Sequence, residues 1–156
     1  MKIIFLEFDG VLTTSKAYGV LDKEKMTLLQ KIIQQTGAKI VISSDWRCLD
    51  LDSTIYNLTM GNNYIGTPLD WLKDTVGVTI RPTVDEFGMV EYWSREEEIK
   101  IYLKDHAGEI DQFIILDDQE DEFNELLPHL VKTTIKTGIT DETVKQAIQL
   151  LNNGEN

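Results

Sequence analysis

Apolar residues fall along this 156-residue chain in short dense runs, and between the runs they recur at helical spacing. Lys2–Phe8 is nearly all apolar, the pattern of a strand buried on both faces of a parallel sheet. Asp22 stands where it can cap a helix whose apolar positions Met26, Leu28, Leu29, Ile32 and Ile33 share one face, and Gly37 is placed to end it. Ala38–Ile42 reads as the second buried strand. The stretch from Trp46 to Trp93 is less regular, with short helices expected near Ser53–Met60 and Pro68–Asp74 and a strand at Val78–Ile80.

Regularity returns at Ser94, which with Glu97 forms a capping box and opens a helix carrying Ile99, Ile101, Tyr102 and Leu103. Gln112–Leu116 is a further apolar strand and runs directly into Asp117-Asp118. Leu130–Ile135 reads as the last strand, after which Thr140 caps a helix holding Val144, Ala147, Ile148 and Leu151. Strand–helix alternation of this kind predicts a doubly wound, mainly parallel α/β sheet with right-handed crossovers and helices on both faces. The chain carries no internal repeat, low-complexity segment or Pro/Gly/Ser-rich linker, so residues 1–156 are expected to form one domain, with an irregular insert or small lid at about 48–93.

Composition changes this picture in three ways. The net charge of −12 offers no extended basic face for nucleic acid, while leaving carboxylates available for a divalent cation. No apolar stretch has the length of a membrane span, and the N-terminal residues are too acidic for a signal peptide, so a cytoplasmic protein without membrane partners is expected. Cys48, the single cysteine, excludes an internal disulfide and lacks a nearby His to make it a nucleophile. His106 is expected near a helix C-terminus, where a cation is mildly favoured, and His129 has no assigned role. Trp46, Trp71 and Trp93 are read as core residues before substrate-lining ones.

In open parallel sheets, ligands bind beyond the carboxyl ends of the strands, so the polar residues following each apolar run carry the chemistry. Those residues are Glu7, Asp9 and Gly10 after the first strand, Ser43, Ser44 and Arg47 after the second, and Asp117 and Asp118 (with Asp121 close behind) after the fourth apolar run. Arg95 opens the intervening helix. Taken singly, each is a turn residue, a helix cap or a solvated charge. Together they supply carboxylates from two strand ends, hydroxyls from a third and a guanidinium from a helix. Carboxylates on neighbouring strand ends repel unless a hard cation lies between them, and Mg²⁺ takes one or two carboxylates plus waters and phosphate oxygens. Hydroxyl and guanidinium donors are the complementary phosphate contacts.

IIFLEFDGVL resembles the first motif of haloacid dehalogenase-like phosphohydrolases, an apolar strand followed by Asp-x-Asp-Gly. IVISS is similar to their second motif, Arg95 stands at the position of the third, and IILDD resembles the fourth. The ISSDWR, SREEEIKIYL and LVKT…TGIT stretches more locally resemble the small uncapped branch found in Swiss-army-knife RNA-repair proteins. The resemblance implies that the first motif carboxylate attacks phosphorus, that Asp9 serves as general acid and base, and that Ser43 binds a phosphoryl oxygen. It also implies that Arg95 balances the charge of the transferring group, and that Asp117 and Asp118, with the first carboxylate and Asp9, hold Mg²⁺. Ser44 and Arg47 are candidates for the departing side of the substrate, with Gly10 part of the phosphate-binding turn.

One position departs from the pattern. Glu7 stands where the family places its nucleophilic Asp, which moves the carboxylate outward by roughly 1–1.5 Å. A displacement of about 1 Å can cost on the order of 10²-fold in rate. The expected activity is therefore Mg²⁺-dependent phosphomonoester hydrolysis, on a phosphorylated small molecule such as a nucleotide or on a nucleic-acid terminus, weakened or abolished by Glu7. The alternative is an inactive module that holds phosphate or nucleotide. A receiver-like signalling domain and a dinucleotide-binding domain are disfavoured. The first would place a phosphoacceptor Asp after its third strand, and the second would need G-x-G-x-x-G after its first.

Overall fold

The computed structural model describes residues 1–17, 19–60, 69–82, 86–89 and 92–153. Five strands, β1 (Lys2–Leu6), β2 (Lys39–Ile42), β3 (Thr75–Val78), β4 (Gln112–Asp117) and β5 (Leu130–Lys132), form one sheet in the order β3-β2-β1-β4-β5. Every neighbouring pair is parallel. Among the described residues, α1 (Lys23–Thr36), α2 (Leu51–Met60) and α3 (Arg95–Asp105) connect strands, and α4 (Asp141–Asn152) follows β5. The expected doubly wound α/β fold is the one observed. No helix among the described residues is long and apolar enough to cross a membrane.

Successive strand residues point to opposite faces, and the core divides accordingly. Ile4, Leu6, Ile40, Ile42, Ile114 and Leu116 pack on one side against α1 and α4. Ile3, Phe5, Val41 and Ile115 pack on the other against Ile99, Tyr102 and Leu103 of α3. The Phe5 and Tyr102 rings meet edge to face at 5.7 Å. Because both faces are covered, the strands read as continuous apolar runs.

The local signals act as expected. Asp22 caps α1 by accepting from the Glu24 and Lys25 amides at 2.8 and 3.3 Å. Gly37 ends the helix at φ 68°, in the left-handed region that Gly enters without a Cβ penalty. The Ser94–Glu97 box caps α3, and Thr140 caps α4.

Several boundaries differ. The strand expected at Val78–Ile80 is β3, Thr75–Val78. Gly77 interrupts its apolar pattern, yet any Cβ there would lie 2.6 Å from the Tyr102 hydroxyl, so the sheet edge needs a glycine under that ring. β1 and β5 stop short of Phe8 and Ile135 because the backbone turns. The Phe8 carbonyl accepts from Val11, Leu12 and Thr13, and that of Thr134 from Thr137 and Gly138. Within the stretch at about 48–93, α2 and a short 3-10 helix at Asp70–Asp74 precede β3, which forms one edge of the sheet. Pro68 and parts of the stretch lie outside the described residues.

Candidate active site

β1 lies between β2, reached through α1, and β4, reached only after the chain has passed through β3 and α3. The strand order therefore switches direction between β1 and β4, and a crevice opens at their carboxyl ends. Glu7 and Asp9 follow β1 there, while Asp117 and Asp118 lie at the end of β4.

Glu7 is buried and all but saturated. Its Oε1 accepts from the Phe8 amide at 2.7 Å, the Asp9 amide at 3.2 Å and the Ser44 hydroxyl at 2.6 Å. Its Oε2 is paired with Arg95 Nη1. The same guanidinium nitrogen lies 3.4 Å from Asp117 Oδ2, so Arg95 bridges the carboxylates of the two strand ends. Arg95 can reach them because the capping box fixes the first turn of α3 at the mouth of the crevice.

Asp9 is held by two donors, the Thr13 hydroxyl on Oδ1 and Trp46 Nε1 on Oδ2, both at 2.9 Å. Gly10 follows at φ 74°, and a Cβ there would lie 2.4 Å from the Asp118 carboxylate. The glycine thus lets the fourth-strand acid close over the first-strand turn. Its carbonyl accepts from the buried Thr133 hydroxyl at 2.6 Å, tying this turn to the end of β5.

Asp117 is fully buried, and burial pushes its carboxyl up to about 6 despite the Arg95 charge and the Gln119 amide bonded to its Oδ1. Burial also raises Asp118. Ser43 Oγ, Asp117 Oδ2 and Asp118 Oδ1 are buried without a hydrogen-bond partner. Buried polar atoms are seldom left so unless a ligand, ion or water completes them. Glu7, Asp117 and Asp118 face the Arg95 guanidinium and Asp9 lies beside Asp118, leaving the crevice with excess negative charge.

This donor set suits Mg²⁺ in chemistry. Asp118 Oδ1 and Asp117 Oδ2, the latter facing only the Arg95 charge, offer hard oxygens without hydrogen bonds, and Mg²⁺ requires only one or two carboxylates besides waters and phosphate. A ready-made cage is absent: no three His, Cys, Asp or Glu side chains converge as a cation site among the described residues.

The structure corrects the expectation for Arg47. Its guanidinium is buried and every N–H is spent inward, on the carbonyls of Thr79, Ser43, Ser44 and Ile80 and on Glu98 Oε2 at 2.5 Å. No donor remains for a substrate. Arg47 instead fastens the turn after β2 to the end of β3 and to α3. Ser44 is likewise occupied by Glu7, so Ser43 holds the unspent hydroxyl. Trp71 is a core residue, as expected, whereas Trp46 belongs to the site through Asp9 and packs edge to face on Phe8.

Sequence reasoning missed Thr13, Trp46 and the acids of α3. Glu96 and Glu98 are buried, although EEE at a helix start reads as a solvated first turn. Glu96 accepts from the amides of Asn124, Glu125 and Leu126 at 2.5, 3.2 and 3.1 Å and so holds the segment after β4. The available signal was three consecutive acids of which the capping box needs one.

His106 Nδ1 bonds the Tyr102 carbonyl at the end of α3, and His129 stacks on Phe113. Cys48 is a half-buried free thiol whose sulfur accepts from Asn57.

No curated protein and no solved structure matches the chain. A family model described as "HAD domain in Swiss Army Knife RNA repair proteins" matches residues 3–144, and the chain belongs to that family, whose fold carries phosphohydrolase-type chemistry in general.

Proposed function

We propose that this chain is a Mg²⁺-dependent phosphomonoesterase domain for a nucleotide or nucleic-acid terminal phosphate in which Glu7 weakens or abolishes turnover. The observation that carries the proposal is the state of the Glu7 carboxylate. Oε1 is taken by three donors and Oε2 by Arg95, so neither oxygen is free to attack. In-line attack needs the nucleophile about 3–3.5 Å from phosphorus and aligned. The extra methylene instead lets the carboxylate fold back onto its own backbone amides.

The other residues keep their parts. Ser43 Oγ, buried and unpartnered, donates to a phosphoryl oxygen. Asp9, fixed by Thr13 and Trp46, is positioned to pass a proton to the leaving oxygen. Arg95 neutralises charge on the transferring group. Asp117 and Asp118 would hold Mg²⁺, which supplies charge neutralisation and Lewis acidity when bound.

The test compares this chain with Glu7→Asp for phosphate release with Mg²⁺. Substrates are an aryl phosphate, nucleotides, and oligonucleotides phosphorylated at the 3′ or 5′ end. The Asp variant is expected to be faster by on the order of 10²-fold or more. Equal rates in both chains overturn the assignment of Glu7 as the block. Inactivity of both, with phosphate and Mg²⁺ still bound, favours the module that binds without turnover.

A further inference from the structure

We propose that Trp93 and Tyr92 form the wall against which the leaving group of the phosphate ester rests, and that this wall selects a single aromatic base. The inference builds on the phosphate-site reading above. A cavity of about 180 Å³ is lined by Asp45, Tyr92, Trp93 and Gln119 together with Arg95, the one residue it shares with the proposed phosphoryl position. A second, of about 290 Å³, shares Asp45, Tyr92 and Trp93 and extends to Arg81 and Pro82. Both lie at or below the lower end of the roughly 300–1,000 Å³ usual for ligand sites, which suits one ring system rather than a length of polymer.

The aromatic residues are not there to be buried. Tyr92 is 78% exposed, and its hydroxyl donates to Glu122 at 3.0 Å, which holds the ring in place at the rim. Trp93 is half-buried and also borders a third cavity beside Lys100 and Ile101, so its indole is flanked by open space on more than one side. Ser94, immediately after it, is locked in the capping box and fixes the backbone from which the wall projects. Across the second cavity the exposed Arg81 is held by a hydrogen bond to the Asp45 carbonyl.

Flat aromatic faces and a guanidinium plane are stacking surfaces for a nucleobase. The carboxylates of Asp45, Glu98 and Glu122 line the same space and oppose a second phosphate near it. A neutral planar group attached to one phosphate satisfies both conditions. A sugar phosphate without a base would leave the aromatic wall wet.

Calorimetric titration with Mg²⁺ present tests this, using a nucleoside 5′-monophosphate, ribose 5-phosphate, inorganic phosphate and the phosphate-free nucleoside. The nucleotide is expected to bind about 5- to 100-fold tighter than ribose 5-phosphate, the range that base–aromatic stacking supplies. Trp93→Ala should shrink that preference to under about 3-fold while leaving ribose 5-phosphate and inorganic phosphate unchanged, and Trp93→Phe should retain most of it. Equal binding of nucleotide and ribose 5-phosphate overturns the wall but leaves the phosphate site standing, as does a Trp93→Ala loss shared by every ligand. Failure of all the phosphates overturns the phosphate site instead. The nucleoside then decides the wall: binding that Trp93→Ala removes supports it, and no binding overturns it.

Discussion

Replacing Arg47 with Met keeps the aliphatic stem and removes a buried guanidinium that holds four carbonyls and a carboxylate. Breaking a buried ion pair by removing one partner costs about 3–5 kcal/mol, because the remaining charge is left uncompensated. Here that charge belongs to Glu98, whose carboxyl burial already raises above its ordinary value. Protonation of Glu98 in the variant would recover part of the loss. The carbonyls of Ser43, Ser44, Thr79 and Ile80 would not recover, and an unsatisfied buried acceptor costs about 1–3 kcal/mol. The expected net loss is about 3–5 kcal/mol, or on the order of 10 °C in Tm for a chain of this size. Removing both partners, in Arg47→Met with Glu98→Met, relieves the stranded charge but not the carbonyls, so a deficit of about 2–4 kcal/mol should persist. Urea unfolding of the single and double variants, read by circular dichroism and tryptophan fluorescence, measures each term. A single variant within about 1 kcal/mol of the parent that binds phosphate esters more weakly would refute the clamp and return Arg47 to the substrate side.

Two further outcomes follow from groups that sequence reasoning missed. Burial alone would raise Glu96, but the amides of Asn124 and Leu126, the Lys100 ammonium and the Glu125 amide outweigh it and hold the carboxyl down to about 2. A depressed acid stabilises the fold above its unfolded value, and that contribution is lost as pH falls from about 4.5 toward 2. The urea midpoint of the parent should therefore drop over that window more steeply than that of Glu96→Gln, and parallel curves would contradict the assignment. Trp46→Phe keeps an aromatic ring against Phe8 but removes the donor to Asp9, with about 1 kcal/mol lost in stability. In a Glu7→Asp background it should lower phosphate release by about 10- to 100-fold with Mg²⁺ binding unchanged. An unaltered rate would remove Trp46 from the site.

Where the pattern was readable, a local cause made it so. Asp22, Gly37, Ser94 and Thr140 act within a few residues of themselves, and their helix ends lie where the sequence places them. Strands covered on both faces must be apolar throughout, which made β1, β2 and β4 visible. β3 was misplaced because its Gly77 answers to Tyr102, a residue on a different element.

The sequence by itself determined the alternation of strands and helices, and hence which polar residues lie at strand ends. It also set the substitution at position 7. Only the tertiary structure decided how those residues spend their hydrogen bonds. Arg47 and Arg95 look equivalent in one dimension, yet one is consumed by carbonyls and the other spans Glu7 and Asp117. Ser43 and Ser44 are adjacent, yet one is unpartnered and the other is spent on Glu7. Three consecutive glutamates divide into a cap, a loop anchor and a buried ion-pair partner. Side-chain valence is settled by neighbours brought from distant strands, and no spacing rule along the chain records those neighbours.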